Sequence, residues 1–158
     1  MILKRLIIVR HSKADMEGFL TEEGKIILRE TFRALKKSFL IRRDAGVMSS
    51  PILRATESGR FFIDISGIET ELFICQELFS DGETCDTAGA LKAILRYARK
   101  TKVETLIVVT HFEMIRDLPD LFRIKVLKGK TPFLDHKVSR GRGVIIDCKK
   151  KIRWSIYR

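Results

Sequence analysis

Two aliphatic runs that each stop at a histidine constrain this chain more than any other feature. Residues 3–9 lead into Arg10 and His11, and "ETLIVVT" leads into His111. Short apolar runs rich in Ile and Val read as buried strands. A strand accounts for the aliphatic residues but not for the cations placed at its end, in "LIIVRHSKAD".

The segments between and after these runs read as helices and further strands. "FLTEEGKIILRETFRALKKSFL" has Thr21 as a candidate N-cap, with Glu22 and Glu23 where the helix dipole favours acids. Ile27, Leu28, Phe32, Leu35 and Phe39 recur at helical spacing. "AGVMSS" is a short strand, and Pro51 suits the first turn of a helix that carries Arg54, with Ser50 as its cap. "ELFICQEL" reads as a strand leading into the loop "FSDGET". "TAGALKAILRYARK" is helical, and "MIRDLPDLF" resumes a helix that Pro119 is expected to bend or stop. "GRGVIIDCKKKIRWSIY" reads as two short strands around a turn at Lys149, Lys150 and Lys151. Strands alternating with helices predict a three-layer α/β/α sandwich, with a mainly parallel central sheet and antiparallel C-terminal edge strands.

The 158 residues suit one domain, 1–158, able to bury a sizeable core. No apolar run approaches the ~20 residues of a membrane span, and no signal peptide is evident. Cys75, Cys85 and Cys148 show no C-x-x-C spacing, so reduced thiols in a cytoplasmic protein are expected. The net charge of +11 is unevenly spread. Residues 122–158 carry twelve Lys and Arg against Asp135 and Asp147, whereas residues 1–121 are nearly neutral. Such a field attracts anions: phosphorylated substrates, an acidic protein or nucleic acid.

In an open α/β sheet, ligands bind beyond the carboxyl ends of the strands. Arg10 with His11, Ser49 and Ser50 with Arg54, and His111 all fall at such ends. Guanidinium forks match the oxygens of a phosphate dianion, and Arg54 would share the anion with the amides of its helix N-terminus. A neutral imidazole held in line with phosphorus is a competent nucleophile, and the arginines would stabilise charge on the equatorial oxygens.

These pieces resemble the histidine phosphatase (phosphoglycerate mutase-like) superfamily. "VRHSKA" is similar to its R-H signature, while "SSPILRATES" and "VVTHFEMI" resemble its second-arginine and second-histidine motifs, in the same order. "FLTEEG" resembles the L-T-x-x-G segment of the short SixA-type phosphohistidine phosphatases. The likeness runs from Ile2 to about Leu118. It implies that His11 becomes phosphohistidine, that Arg10, Arg54 and His111 complete the phosphate pocket, and that no metal or other cofactor takes part. Ser12 stands where glycine is commoner. Larger relatives place an acidic proton donor between the arginine and second-histidine motifs. Glu77 is the nearest candidate here, with Asp81, Glu83 and Glu113 behind it; an aspartate directly after the second histidine is absent, since Phe112 stands there.

An imidazole leaving group needs less help from a proton donor than an alkoxide does. The expected function is therefore a phosphatase acting through phosphohistidine, on phosphohistidine or another phosphoprotein side chain. The alternatives are a small-molecule phosphate-ester phosphatase or phosphomutase, and a module binding nucleic acid or an acidic protein through the basic C-terminal quarter. Lys13 either touches phosphate or faces water. His136 reads as a loop residue, Ser49 and Ser50 as turn and cap residues. Trp154 and Tyr157 read as part of an edge strand rather than a base-stacking surface.

Overall fold

The computed structural model describes residues 2–38, 41–132 and 137–156. The expectations for Phe39, His136, Tyr157 and the Trp154 side chain fall outside what is described. In chain order the elements are β1 (Arg5–Arg10), α1 (Glu22–Ser38), β2 (Gly46–Ser49), α2 (Leu53–Ser66) and β3 (Leu72–Ile74). After a 3-10 turn (Gln76–Leu78) come α3 (Thr87–Thr101), β4 (Thr105–Thr110), α4 (Phe112–Lys125), β5 (Gly143–Asp147) and β6 (Ile152–Ile156).

The six strands form one sheet in the order β3-β2-β4-β1-β5-β6. The first four are parallel, and β5 and β6 are antiparallel additions. Successive strand side chains point to opposite faces, and β1 shows the consequence. Leu6 and Ile8 join the core beneath α3 and α4, with Ile94, Ile115, Leu118 and Phe122. Ile7 and Val9 join the core beneath α1 and α2, with Leu28, Leu35 and Phe62. The Phe32 and Phe62 rings pack edge to face with centroids 5.8 Å apart. The architecture is the expected three-layer sandwich. No helix among the described residues is long and apolar enough to cross a membrane.

Two local expectations are corrected. Of the two outcomes expected at Pro119, the stop does not occur: α4 continues to Lys125 with Pro119 buried inside it. A mid-helix proline costs ~3 kcal/mol or more; the buried Ile115, Leu118 and Phe122 on the same helix stabilise it against that loss. Ser50 does not cap α2: the N-cap is Ile52, with no side-chain cap bond. The Ser50 hydroxyl is engaged elsewhere, as described below. Thr21 does cap α1, its Oγ1 accepting from the Gly24 N–H at 3.1 Å.

The turn joining β5 to β6 lies at the amino-terminal end of β1, because Asp147 pairs with Arg5 and Gly143 with Val9. Lys149, Lys150 and Lys151 therefore sit at the sheet edge opposite His11. Helix α4 starts at His111 and runs the same way, so Lys125 lines a surface cavity with Leu3. Much of the C-terminal charge is thus remote from the strand ends where the histidines lie.

Candidate active site

Parallel pairing brings distant residues to one edge. Arg10 is level with Thr110, and Ser49 with Val109. The ladder runs one step further, with the His11 N–H donating to the Thr110 carbonyl at 2.8 Å and the Ser50 N–H to the Val109 carbonyl at 3.0 Å. His11, Ser50 and His111 are neighbours because β1, β4 and β2 are. Arg10, His11, Arg54 and His111 line one cavity of about 390 Å³, and Ser80, Glu113 and Arg140 line it too.

The imidazole rings of His11 and His111 have centroids 5.2 Å apart and are tilted by 59°. His11 is 8 % exposed and His111 2 %. A carbonyl oxygen only accepts, so the 3.0 Å contact between His11 Nδ1 and the Ser12 carbonyl assigns the proton to Nδ1. Nε2 is left with a lone pair. Burial pushes the His11 imidazole down to about 4, with the Ser12 carbonyl working against this and His111, Arg54 and Arg10 adding to it. Burial likewise pushes His111 down to about 4, helped by Arg54 and Arg10 and opposed by Glu113. Both rings are neutral near pH 7.

His111 Nε2 lies 2.7 Å from Ser50 Oγ, and Ser50 Oγ accepts the Ile52 N–H at 3.4 Å. The contact fixes the orientation of the His111 ring. Arg10 donates to the Val138 carbonyl at 3.1 Å and lies 5.1 Å over the Phe112 ring, a cation–π arrangement. The Nε atoms of Arg10 and Arg54 are buried without a hydrogen-bond partner. Buried unpaired donors are costly, so both guanidiniums are suited to an anion with several oxygens.

Ser12 is fully buried, its N–H donating to Ser58 Oγ at 3.0 Å and its Oγ to the Gly24 carbonyl at 2.8 Å. Ser58 Oγ in turn donates to the Arg54 carbonyl at 2.7 Å. One serine pair therefore ties the His11 loop to the turn of α2 that carries Arg54. Gly24 is required because a Cβ there would sit 2.2 Å from the Lys13 carbonyl oxygen. Gly141, at φ 71°, brings its N–H to the carbonyls of Arg10 and His11 at 3.0 and 3.1 Å.

Glu77, first among the candidate proton donors, does not line the cavity. Its carboxylate pairs with Arg96 at 2.9 Å and accepts from Cys75 Sγ at 3.3 Å. The 3-10 turn directs it toward α3 instead. The cavity's glutamate is Glu113, anchored by the Ser80 hydroxyl at 2.9 Å. Burial pushes its carboxyl upward, but its own backbone N–H, Ser80, His111 and Arg10 outweigh that and leave it lowered. Asp81 instead caps the backbone of Glu83 and Thr84. Lys13 pairs with Glu23 and lines an adjoining cleft rather than the cavity. Among the described residues, no three His, Cys, Asp or Glu side chains gather so as to hold a metal ion.

Sequence reasoning did not single out Ser58, Ser80 or Arg140. Ser58 carried a faint signal, lying one helical turn beyond Arg54; Arg140 is one of twelve cations in its segment and carried none.

No protein-family model and no curated protein sequence matches the chain. Solved structures do. The protein histidine phosphatase SixA in complex with tungstate aligns at a TM-score of 0.66 and 18% identity, over 97% of this chain and 94% of that one. A structure described as a putative phosphohistidine phosphatase SixA from Nakamurella multipartitia gives 0.65 and 16%, over 96% and 92%. A phosphoserine phosphatase mutant from Entamoeba histolytica, in complex with phosphoserine, gives 0.61 and 12%, over 97% and 95%. A cavity lined by two histidines and three arginines at the carboxyl edge of the sheet and these shared architectures lead to one conclusion: the chain has the histidine-phosphatase fold.

Proposed function

We propose that the protein is a phosphatase that passes the phosphoryl group through His11, with phosphohistidine or another phosphoprotein side chain as substrate. The observation that carries the reading is the pair of neutral imidazoles 5.2 Å apart in a cavity shared with Arg10 and Arg54. His11 Nε2 attacks phosphorus and forms a P–N bond as the bond to the leaving group breaks. Arg10, Arg54 and His111 stabilise the equatorial oxygens. Water then attacks phosphorus, the His11–P bond breaks, and inorganic phosphate leaves. Glu113, held as a carboxylate by Ser80, takes the proton of the attacking water. The likeness to the tungstate-bound SixA, a protein histidine phosphatase, supports this assignment. Free Cys75, Cys85 and Cys148 accord with a cytoplasmic setting.

A second reading, a small-molecule ester phosphatase, would need a proton for its alkoxide leaving group, which Glu113 as a carboxylate does not carry. One experiment separates the two. Wild type and His11→Ala are incubated side by side with a phosphohistidine protein, a phosphotyrosine peptide and sugar phosphates. Turnover fastest on phosphohistidine, with acid-labile and base-stable label on wild type alone, supports the proposal. Efficient turnover of a single sugar phosphate and none of phosphohistidine refutes the substrate class; equal turnover by His11→Ala refutes the mechanism.

A further inference from the structure

A cleft of about 780 Å³ opens beside the phosphate cavity and shares Arg10 and Arg140 with it. One wall is α1, through Ile26 and Ile27; the other is the 137–143 segment, together with Ile156 of β6. The walls are tied together and to the nucleophile's strand. Thr31 Oγ1 donates to the Gly141 carbonyl at 2.5 Å, and Arg142 donates to Thr31 Oγ1 at 3.1 Å and Glu30 at 2.5 Å. Gly141 donates back to the Arg10 and His11 carbonyls. A cleft held this way needs little ordering when it is filled.

Its charge is one-sided. Among the described residues, Arg10, Lys13, Lys137, Arg140 and Arg142 line it against Glu23 and Glu30. Both carboxylates are already engaged, Glu23 by Lys13 and Glu30 by Arg142. Arg140 is exposed, and its charge acts on Arg10 strongly enough to lower that guanidinium's pKa, second only to burial. A positive field therefore runs from the cleft to the phosphate cavity.

We propose that this cleft seats an acidic stretch of polypeptide flanking the phosphorylated residue of a protein substrate. The inference rests on the phosphoprotein reading above. Charge complementarity selects acidic side chains, while the aliphatic Ile26, Ile27, Val138 and Ile156 provide apolar contact for the peptide between them. Nucleic acid fits less well. Among the described residues, no aromatic side chain lines the cleft for base stacking, and the lysines of the β5–β6 turn lie at the opposite sheet edge, out of reach of the same backbone.

The test uses full-length protein and two charge changes outside the phosphate cavity, Ile26→Asp and Lys137→Glu. A fluorescent, unphosphorylated Glu-rich decapeptide should bind wild type, lose roughly fivefold or more in affinity in each variant, and weaken as salt rises. A Lys-rich decapeptide should not bind. On phosphopeptides, wild-type kcat/KM should favour acidic over basic flanks by about tenfold. That preference should collapse in Ile26→Asp, while turnover of a small aryl phosphate stays within about twofold. Acidic-peptide binding without turnover of any phosphorylated substrate would keep the cleft and overturn the phosphatase. Turnover indifferent to flank charge would overturn the cleft and keep the phosphatase. Tighter binding of a single-stranded oligonucleotide, weakened by the same variants, would overturn the choice of partner.

Discussion

Ser50 Oγ lies 2.7 Å from His111 Nε2, a contact joining the end of β2 to the start of α4. It holds the buried His111 ring in one orientation. Ser50→Ala removes that hold and leaves a buried ring nitrogen unpaired, at a cost of about 1–3 kcal/mol. Turnover of an aryl phosphate should fall roughly tenfold or more, with kcat carrying the loss and KM little changed. An unchanged kcat would mean that His111 needs no orientation.

Arg54 contributes a guanidinium whose Nε is buried and unpaired. Arg54→Ala should lower kcat by about a hundredfold or more, as loss of one donor to a developing oxyanion does. Steady-state kinetics decides; a change under about threefold would place Arg54 outside the reacting centre.

Glu113→Gln keeps an acceptor for Ser80 but abolishes the carboxylate. Turnover of phosphoserine and of phosphohistidine should both fall about a hundredfold, because the water that hydrolyses the shared phosphoenzyme loses its proton acceptor. A loss confined to phosphoserine would mean that Glu113 serves the alkoxide leaving group instead.

The two histidines also determine the response to acid. Each is lowered from an ordinary 6.5 to about 4, so between those values the unfolded chain binds more protons than the folded one. Their contribution to stability is fully present above about 6.5 and lost as pH falls toward about 4. Thermal melts from pH 7 to 4 should show Tm falling in this window, and a variant with both His11→Ala and His111→Ala should fall less steeply. In pH profiles, the acid limb of kcat/KM, which reports the free enzyme, should lie nearer 4 than 6.5. A limb at the higher value would mean the rings are better solvated than their burial implies.

At Gly24 a Cβ would meet the Lys13 carbonyl at 2.2 Å. Gly24→Ala must push the start of α1 away from the loop that holds His11, at about 1–3 kcal/mol. Urea denaturation should show that loss, together with reduced turnover. Full stability would mean the loop yields freely, in which case Ser12 and Gly24 do not position His11.

What was legible in the sequence was whatever local pattern enforces. Continuous aliphatic runs in β1 and β4 demanded burial, and the spacing of Leu28, Phe32 and Leu35 demanded a helix packed on that sheet. A cluster at each strand end followed, because an α/β sheet exposes its carboxyl edge. Arg10, His11, Arg54 and His111 were found because each stands at such an end. Only the tertiary structure decided which glutamate enters the cavity. Glu77 and Glu113 are equivalent as local sequence, yet a 3-10 turn aims one at Arg96 while the first turn of α4 aims the other at His111. It also decided that Ser50 serves His111 rather than α2, and that Arg140 joins Arg10 and Arg54 at the cavity, apart from the lysines at 149–151. Periodicity is set by neighbours along the chain, whereas charge and proton placement depend on neighbours brought in from elsewhere.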